Sequence, residues 1–201
     1  MASLLLTAAT DPIQQAQEHY QHVAGYQMTV KSSSRAKTEI MRYYYLKPGY
    51  IRVEFITPYN GAALIYDPSR KQARLWPFGY RRFPALTLSP DNRLILSSSG
   101  HRIDQSDVGA LLRNVVALQQ QGKTEIAGLD SVDGKEAVHL TVEGRQDFAV
   151  DTVHLYQLWL EQATGFPLKV SSYDTSGQLI ETVEMSDVQI DPTFPDGFFQ
   201  Q

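Results

Sequence analysis

Tight-turn chemistry recurs along this chain, at Lys47-Pro48-Gly49, Tyr59-Asn60-Gly61, Asp67-Pro68-Ser69, Asp133-Gly134, Thr164-Gly165 and Asp174-Thr175-Ser176-Gly177. Glycine reaches positive φ without steric cost, and Pro, Asn and Asp pre-shape reversals, so each cluster marks a place where the backbone doubles back. The segments between them are short, and several alternate apolar with polar residues as strands do. Residues 50–56 set Ile51, Val53 and Phe55 opposite Tyr50, Arg52 and Glu54; residues 136–142 repeat the pattern with Val138, Leu140 and Val142. Each of these two has one apolar face. Residues 40–46 are apolar on both, with Met41, Tyr43 and Tyr45 on one side and Ile40, Tyr44 and Leu46 on the other, and residues 156–160 are similar. Such strands belong in mid-sheet. Val183 and Met185 share a parity that Val188 and Ile190 break, which predicts a bulge near Ser186 and Asp187 and a strongly curved sheet.

Two segments follow a helical period instead. The first begins at Pro12 behind a cap at Thr10 or Asp11, carries Ile13, Ala16, Tyr20, Val23 and Ala24 on one stripe, and is expected to end at Gly25. The second is capped by Asp104 or Ser106, repeats Val108, Leu111, Leu112, Val115 and Leu118, and is followed by Gly122. An apolar helical stripe must be buried, and the open side of a curved sheet offers the place. The expected architecture is mainly β: an unclosed antiparallel half-barrel covered by a few helices.

A chain of 201 residues with 42% apolar composition fits one packed domain, expected over residues 10–201. Residues 2–9 are apolar but too short to span a bilayer and lack a basic leader, so residues 1–9 read as a signal-peptide remnant or a disordered start. Cysteine is absent, which removes disulfides, thiolate nucleophiles and Cys-based zinc sites. The net charge of −4, without a basic stripe, argues against a nucleic-acid partner.

Three blocks, read in order, carry a family resemblance: residues 45–55 (YLKPGYIRVEF), residues 64–68 (LIYDP), and residues 158–161 (LWLE) with 164–170 (TGFPLKV). They resemble the LolA-like superfamily, which includes periplasmic lipoprotein carriers, an outer-membrane acceptor and the sensor domain of RseB. Ser99-Gly100-His101-Arg102-Ile103 is similar to an uncharacterised envelope branch of it. The resemblance implies an unclosed barrel whose concave face, under helices, holds acyl chains. In carriers of that superfamily an Arg before the proline of the turn between the second and third strands helps fasten the helical lid. The matching residue here is Lys47, a compact cation without the guanidinium fork.

Candidate chemistry is sparse. His19 and His22 stand three apart on a helix, but a metal site needs further ligands, and a solvated face accounts for them better. Ser97, Ser98, Ser99, His101 and Asp104 include the residue types of a triad, yet they crowd one turn without a nucleophile elbow; turn and cap duty explains them. His139 falls on the face opposite Val138 and Leu140 and is expected to be exposed. Glu39 and Glu54 are read as solvent-facing, with Lys37 and Arg52 as partners. Neither a phosphate loop nor a dinucleotide fingerprint occurs, so no cofactor and no catalysis are expected. In residues 76–84 (WPFGYRRFP), aromatics flank Arg81 and Arg82, a composition suited either to lipid headgroups or to an ordinary edge loop.

The resulting expectation is a periplasmic binding or carrier protein for lipid or lipoprotein acyl chains, with transient membrane contact; the alternative is an envelope sensor or adaptor that binds a protein partner. Strand parity assigns the inner wall to Met41, Tyr43, Tyr45, Ile51, Val53, Phe55, Leu64, Tyr66, Leu75, Val138, Leu140 and Leu158. The second helix adds Leu111, Leu112 and Val115, Arg81 and Arg82 would meet the headgroup, and Lys47 would clasp the lid.

Overall fold

The structure, a computed structural model, describes residues 11–200; residues 1–9 and Thr10, offered above as leader remnant and alternative cap, lie outside them. Helix α1 (Pro12–His22) leads into strands β1 (Gly25–Ser34), β2 (Thr38–Leu46), β3 (Tyr50–Thr57), β4 (Ala63–Asp67), β5 (Gln72–Trp76) and β6 (Leu86–Leu88). After a 3-10 turn (Ile103–Gln105) come α2 (Val108–Gln120), β7 (Gly122–Val132), β8 (Lys135–Gly144), β9 (Leu155–Glu161), β10 (Pro167–Tyr173) and β11 (Leu179–Ile190). The strands make one antiparallel sheet in the order β6-β5-β4-β3-β2-β1-β11-β10-β9-β8-β7, unclosed, with β6 and β7 as its edges. Each turn cluster read from the sequence joins two consecutive strands. The expected bulge is present: Gln27 faces Gln189 but Thr29 faces Ser186, and Asp187 adopts a φ of 53°.

Alternation sends one set of side chains inward. Tyr43, Tyr45, Ile51, Val53, Leu64, Tyr66, Leu140, Val142 and Leu158 join a single core with Ile13 and Ala16 of α1 and with Leu112, Val115 and Leu118 of α2. Helix α2 therefore covers the concave side. The outer face of β2 and β3 is covered as well, because Phe194, Phe198 and Phe199 fold back over it. Tyr44 meets Phe198 edge-on at 5.0 Å, and the Arg52 guanidinium lies between the rings of Tyr80 and Phe198 at 4.2 and 4.3 Å. Arg52 is buried there and ion-paired to Glu54. His139 departs from the expected simple exposure: its ring stacks on Trp159 with centroids 4.2 Å apart, and Nε2 is buried. A flat apolar neighbour on the same outer face draws the imidazole down.

Both helix boundaries differ from the sequence reading. Asp11 caps α1 through Ile13 N–H, but the helix stops at His22, and Val23 and Ala24 lie beyond it. Gly25 opens β1 instead of ending the helix; a Cβ there would stand 2.7 Å from the Tyr45 carbonyl, so β1 and β2 could not pair so closely. The cap of α2 is Asp107, which accepts Ala110 N–H, rather than Asp104 or Ser106. Asp104 sits in the 3-10 turn, paired to Arg102, and Ser106 donates to the Ile103 carbonyl.

Leu118 is fully buried beneath α2, whereas Leu111 is partly buried and borders an open space. Leu118→Ala should therefore cost about 2–5 kcal/mol of unfolding free energy and Leu111→Ala less than about 1.5 kcal/mol, measured by chemical denaturation. Equal losses would mean that both flanks of α2 are packed solid.

Candidate functional site

The lid is positioned from below by tyrosines. Tyr20 of α1, Tyr26 of β1 and Tyr43 and Tyr45 of β2 pack as a ring cluster, Tyr26 stacking on Tyr45 at 5.0 Å and on Tyr43 at 6.2 Å. Their hydroxyls meet the start of α2. Tyr20 donates to Asp107 Oδ1 at 3.2 Å, Tyr26 accepts Val108 N–H at 3.0 Å, and Tyr43 bonds Ser106 Oγ at 3.0 Å. Burial holds the phenols of Tyr20, Tyr26 and Tyr43 far above the usual range, so they stay neutral and keep their bonds across physiological pH. Gly109 makes the approach possible, since a Cβ there would lie 2.6 Å from the Tyr20 ring. At the other end Gln119 donates to Asp11 Oδ2 at 2.7 Å, tying the end of α2 to the start of α1. Lys47 reaches from the β2–β3 turn to the last turn of α1 and donates to the carbonyls of Gln21 and Tyr20 at 2.8 and 3.3 Å. A cation at a helix C-terminus satisfies carbonyls that lack intrahelical partners.

Beyond the helices the concave face is not filled. A cavity of 440 Å³ lies between β2 to β5 and the segment at residues 93–106 that crosses the open side; Met41, Tyr43, Val53, Phe55, Leu64, Leu75, Ile95 and Ile103 line it. A second lobe of 200 Å³, between β1, β11 and α2, shares Met41 and Tyr43 and adds Met28, Val30, Leu111, Val183 and Met185. The other expected wall residues are on the same side but elsewhere. Tyr45, Ile51, Tyr66, Val115, Val138, Leu140 and Leu158 belong to the packed core, and Leu112 borders a shallow groove beside α1. Arg81 and Arg82 do not reach the cavity; they sit in the loop after β5, where Arg81 lies over the Tyr80 ring at 5.1 Å. Pro77, at the foot of that loop, does line the larger lobe.

A polar node joins the two lobes, and the sequence reading does not contain it. That reading turns Glu39 toward solvent, but the residue is only 4% exposed on the concave side, because it shares the parity of Met41 and Tyr43. Its expected partner holds: Lys37 Nζ lies 2.9 Å from Oε1, and Ser98 N–H points at Oε2 from 3.4 Å. Glu181 of β11, 6% exposed, accepts hydrogen bonds from the hydroxyls of Ser32 and Ser99 and lies 3.5 Å from His101 Nε2. The sequence signal for Glu181 is its parity with Val183 and Met185. Burial raises the Glu181 pKa, but hydrogen bonds from His101, Ser32 and Ser99 outweigh it and the net direction is down. The bond to Glu181 raises the His101 pKa against its own burial. Because the carboxylate takes hydrogen bonds from both Ser99 and His101, it separates them, unlike a triad in which the histidine faces the serine. Ser97 serves the turn, its Oγ accepting His101 N–H at 2.9 Å. His19 and His22 are exposed, and His19 Nδ1 meets the Thr164 carbonyl at 2.8 Å.

Residues 85–201, more than half of the chain, match the family described as MucB/RseB N-terminal domain. No curated protein matches the sequence. Solved structures share the fold: an uncharacterised conserved protein from Thermus thermophilus aligns at TM-score 0.55 and 14% identity over 94% of this chain and 91% of that one. The MucA/MucB complex of Pseudomonas aeruginosa aligns at 0.55 and 18% over 95% of this chain and 60% of the other. LprF from Mycobacterium bovis aligns at 0.55 and 12% over 92% and 94%.

The node makes stability depend on pH in a defined window. Glu181, lowered in the fold, stabilises above its ordinary value of 4.5, and this is lost as pH falls through the depressed value. His101, raised in the fold, stabilises fully below its ordinary value of 6.5, and this is lost as pH rises through the raised value. Glu181→Gln should therefore cost most stability between those two values and progressively less on either side, followed by urea unfolding from pH 3 to 9. A flat difference would mean that the pair contributes no linkage.

Proposed function

The chain belongs to the MucB/RseB N-terminal domain family, and we propose on that premise that it is a cell-envelope binding domain that takes an acyl chain of lipid or lipoprotein into its concave cavity. One observation carries this reading: apolar side chains from β2 to β5 face a 440 Å³ space that the crossing segment covers but does not fill. Ligand pockets run from roughly 300 to 1,000 Å³. Each methylene moved out of water contributes about 0.8 kcal/mol, so a palmitoyl-sized chain offers on the order of 10 kcal/mol before the entropy of ordering it. The methionines suit such a guest, since unbranched thioether side chains repack around varied shapes. Lys47 and the tyrosine contacts would then hold the lid while a guest enters past residues 93–106. A periplasmic site of action agrees with the family, and among the described residues no helix is long and apolar enough to cross a membrane.

A second reading, an adaptor that binds a protein partner, is favoured by a different observation. Edge strand β7 leaves one backbone rim unpaired, and Ile126 and Leu129 on it are 58% and 66% exposed. An extended segment of a partner can add to such an edge. MucB has been solved in complex with MucA, and this chain spans about 60% of the length of MucB.

A fluorescent fatty acid tests the first reading. Folded protein should bind it at micromolar concentration. Phe55→Asp should weaken uptake at least tenfold, because an unpaired charge in an apolar pocket costs several kcal/mol, and Met41→Trp should weaken it by filling the space. Circular dichroism confirms that each variant is folded. No uptake by the folded parent protein would discard the acyl-binding reading and leave the adaptor.

A further inference from the structure

We propose that the lip formed by residues 77–94 docks on an anionic lipid bilayer, with Phe78 and Phe83 entering the headgroup layer and Arg81, Arg82 and Arg93 meeting lipid phosphates. The exposure of the aromatics is unusual: Phe83 is 93% and Phe78 67% exposed, and Leu94 on the same lip is 68% exposed. Isolated apolar residues at a surface need no explanation, but several on one lip mark a contact surface.

The loop that carries the two phenylalanines is anchored, so their exposure is imposed by the fold. Tyr80, between them, packs edge-on against Trp76 at 5.1 Å, lies under the Arg52 guanidinium at 4.2 Å, and donates its hydroxyl to the Gln200 carbonyl at 3.3 Å. With Tyr80 turned inward, Phe78 and Phe83 are left facing water.

Charge selects the occupant. Residues 77–94 hold three arginines and only one acidic residue, Asp91, in a chain whose net charge is −4. Among the described residues, Arg35, Arg52, Arg70 and Arg102 are engaged by side-chain partners, whereas Arg81, Arg82 and Arg93 have no carboxylate in ion-pair range. Aromatic rings beside unpaired guanidinium groups match a bilayer interface, where the ring reaches the acyl boundary and the cation stays among phosphates. Location adds to this, because Pro77, Arg93 and Leu94 also border the larger lobe of the cavity. Docking there places the cavity rim against lipid.

Co-sedimentation of the full chain with vesicles is the test, comparing phosphatidylcholine alone with phosphatidylcholine plus phosphatidylglycerol. The parent protein should bind the anionic vesicles more tightly and lose that preference in high salt. Arg81→Ala with Arg82→Ala should weaken anionic binding roughly thirtyfold, about 2 kcal/mol at about 1 kcal/mol per arginine, and leave neutral binding unchanged. The Arg81→Lys, Arg82→Lys pair should retain it within a few-fold. Phe83→Ser should weaken binding to both compositions. Uptake of the soluble acyl probe should stay at the parent level in every variant, which separates failure of docking from failure of the cavity. No binding of the parent protein to anionic vesicles at low salt, or an equal loss on both compositions from the alanine pair, would overturn the proposal. Capture of an acidic peptide without vesicle binding would overturn it in favour of a protein contact.

Discussion

The hydroxyls of Tyr20, Tyr26 and Tyr43, arriving from α1, β1 and β2, converge on three consecutive residues, Ser106, Asp107 and Val108, where α2 begins. Each buried hydrogen bond contributes about 1 kcal/mol net, but leaving one of these groups unpaired costs about 1–3 kcal/mol, so the contact is far more sensitive to disruption than its net strength implies. It fixes where α2 starts, and Gln119 with Asp11 fixes where it ends. Between those points the helix can bury only one part of the curved sheet.

The remainder follows from that division. Under α2 the side chains of Val115, Leu118, Leu140 and Leu158 close up without residual exposure. On the β2 to β5 side there is no α-helix among the described residues, and the chain at residues 93–106, with its 3-10 turn, crosses the gap. Close packing needs side chains from both sides, and a single crossing stretch of turns supplies too few to fill a strongly curved sheet. That segment is held by two buried apolar side chains, Ile95 and Ile103, and by polar contacts, Ser98 to Glu39 and Ser99 and His101 to Glu181. Under the proposed reading, these hydrogen bonds would be exchanged for bonds to water as a guest enters.

Features that repeat within a few residues are legible in the sequence. Turn clusters, the alternation at Ile51, Val53 and Phe55, the bulge near Asp187 and the stripe of α2 all rest on local periods, and the structure places them as expected. What escapes depends on partners far along the chain. Gly25 looks like a helix stop because its true constraint, the carbonyl of Tyr45, is twenty residues away. Arg52 gives no sign of burial because the rings that cover it belong to Tyr80 and Phe198. Glu39 misleads for a different reason: its charge suggests solvent, whereas its parity with Met41 and Tyr43 points inward, and parity decides. Parity also says which face a residue is on but not whether that face is filled. Tyr45 and Ile51 therefore fall in solid core while Val53 and Phe55 come to line a cavity.

The central claim, that the open part of the concave face takes up an acyl chain, can be read from the methionines. Three of the four, Met28, Met41 and Met185, line the smaller lobe, and the fourth is Met1, outside the described residues. Carbon-13 methyl labelling of methionine gives each an NMR signal, to be followed while a soluble single-chain amphiphile is added. Met41 borders both lobes, so the account predicts that its signal shifts and saturates, while those of Met28 and Met185 shift as far as the chain extends into the smaller lobe. If the amphiphile binds and the Met41 signal does not move, the acyl chain is held elsewhere and the account is contradicted.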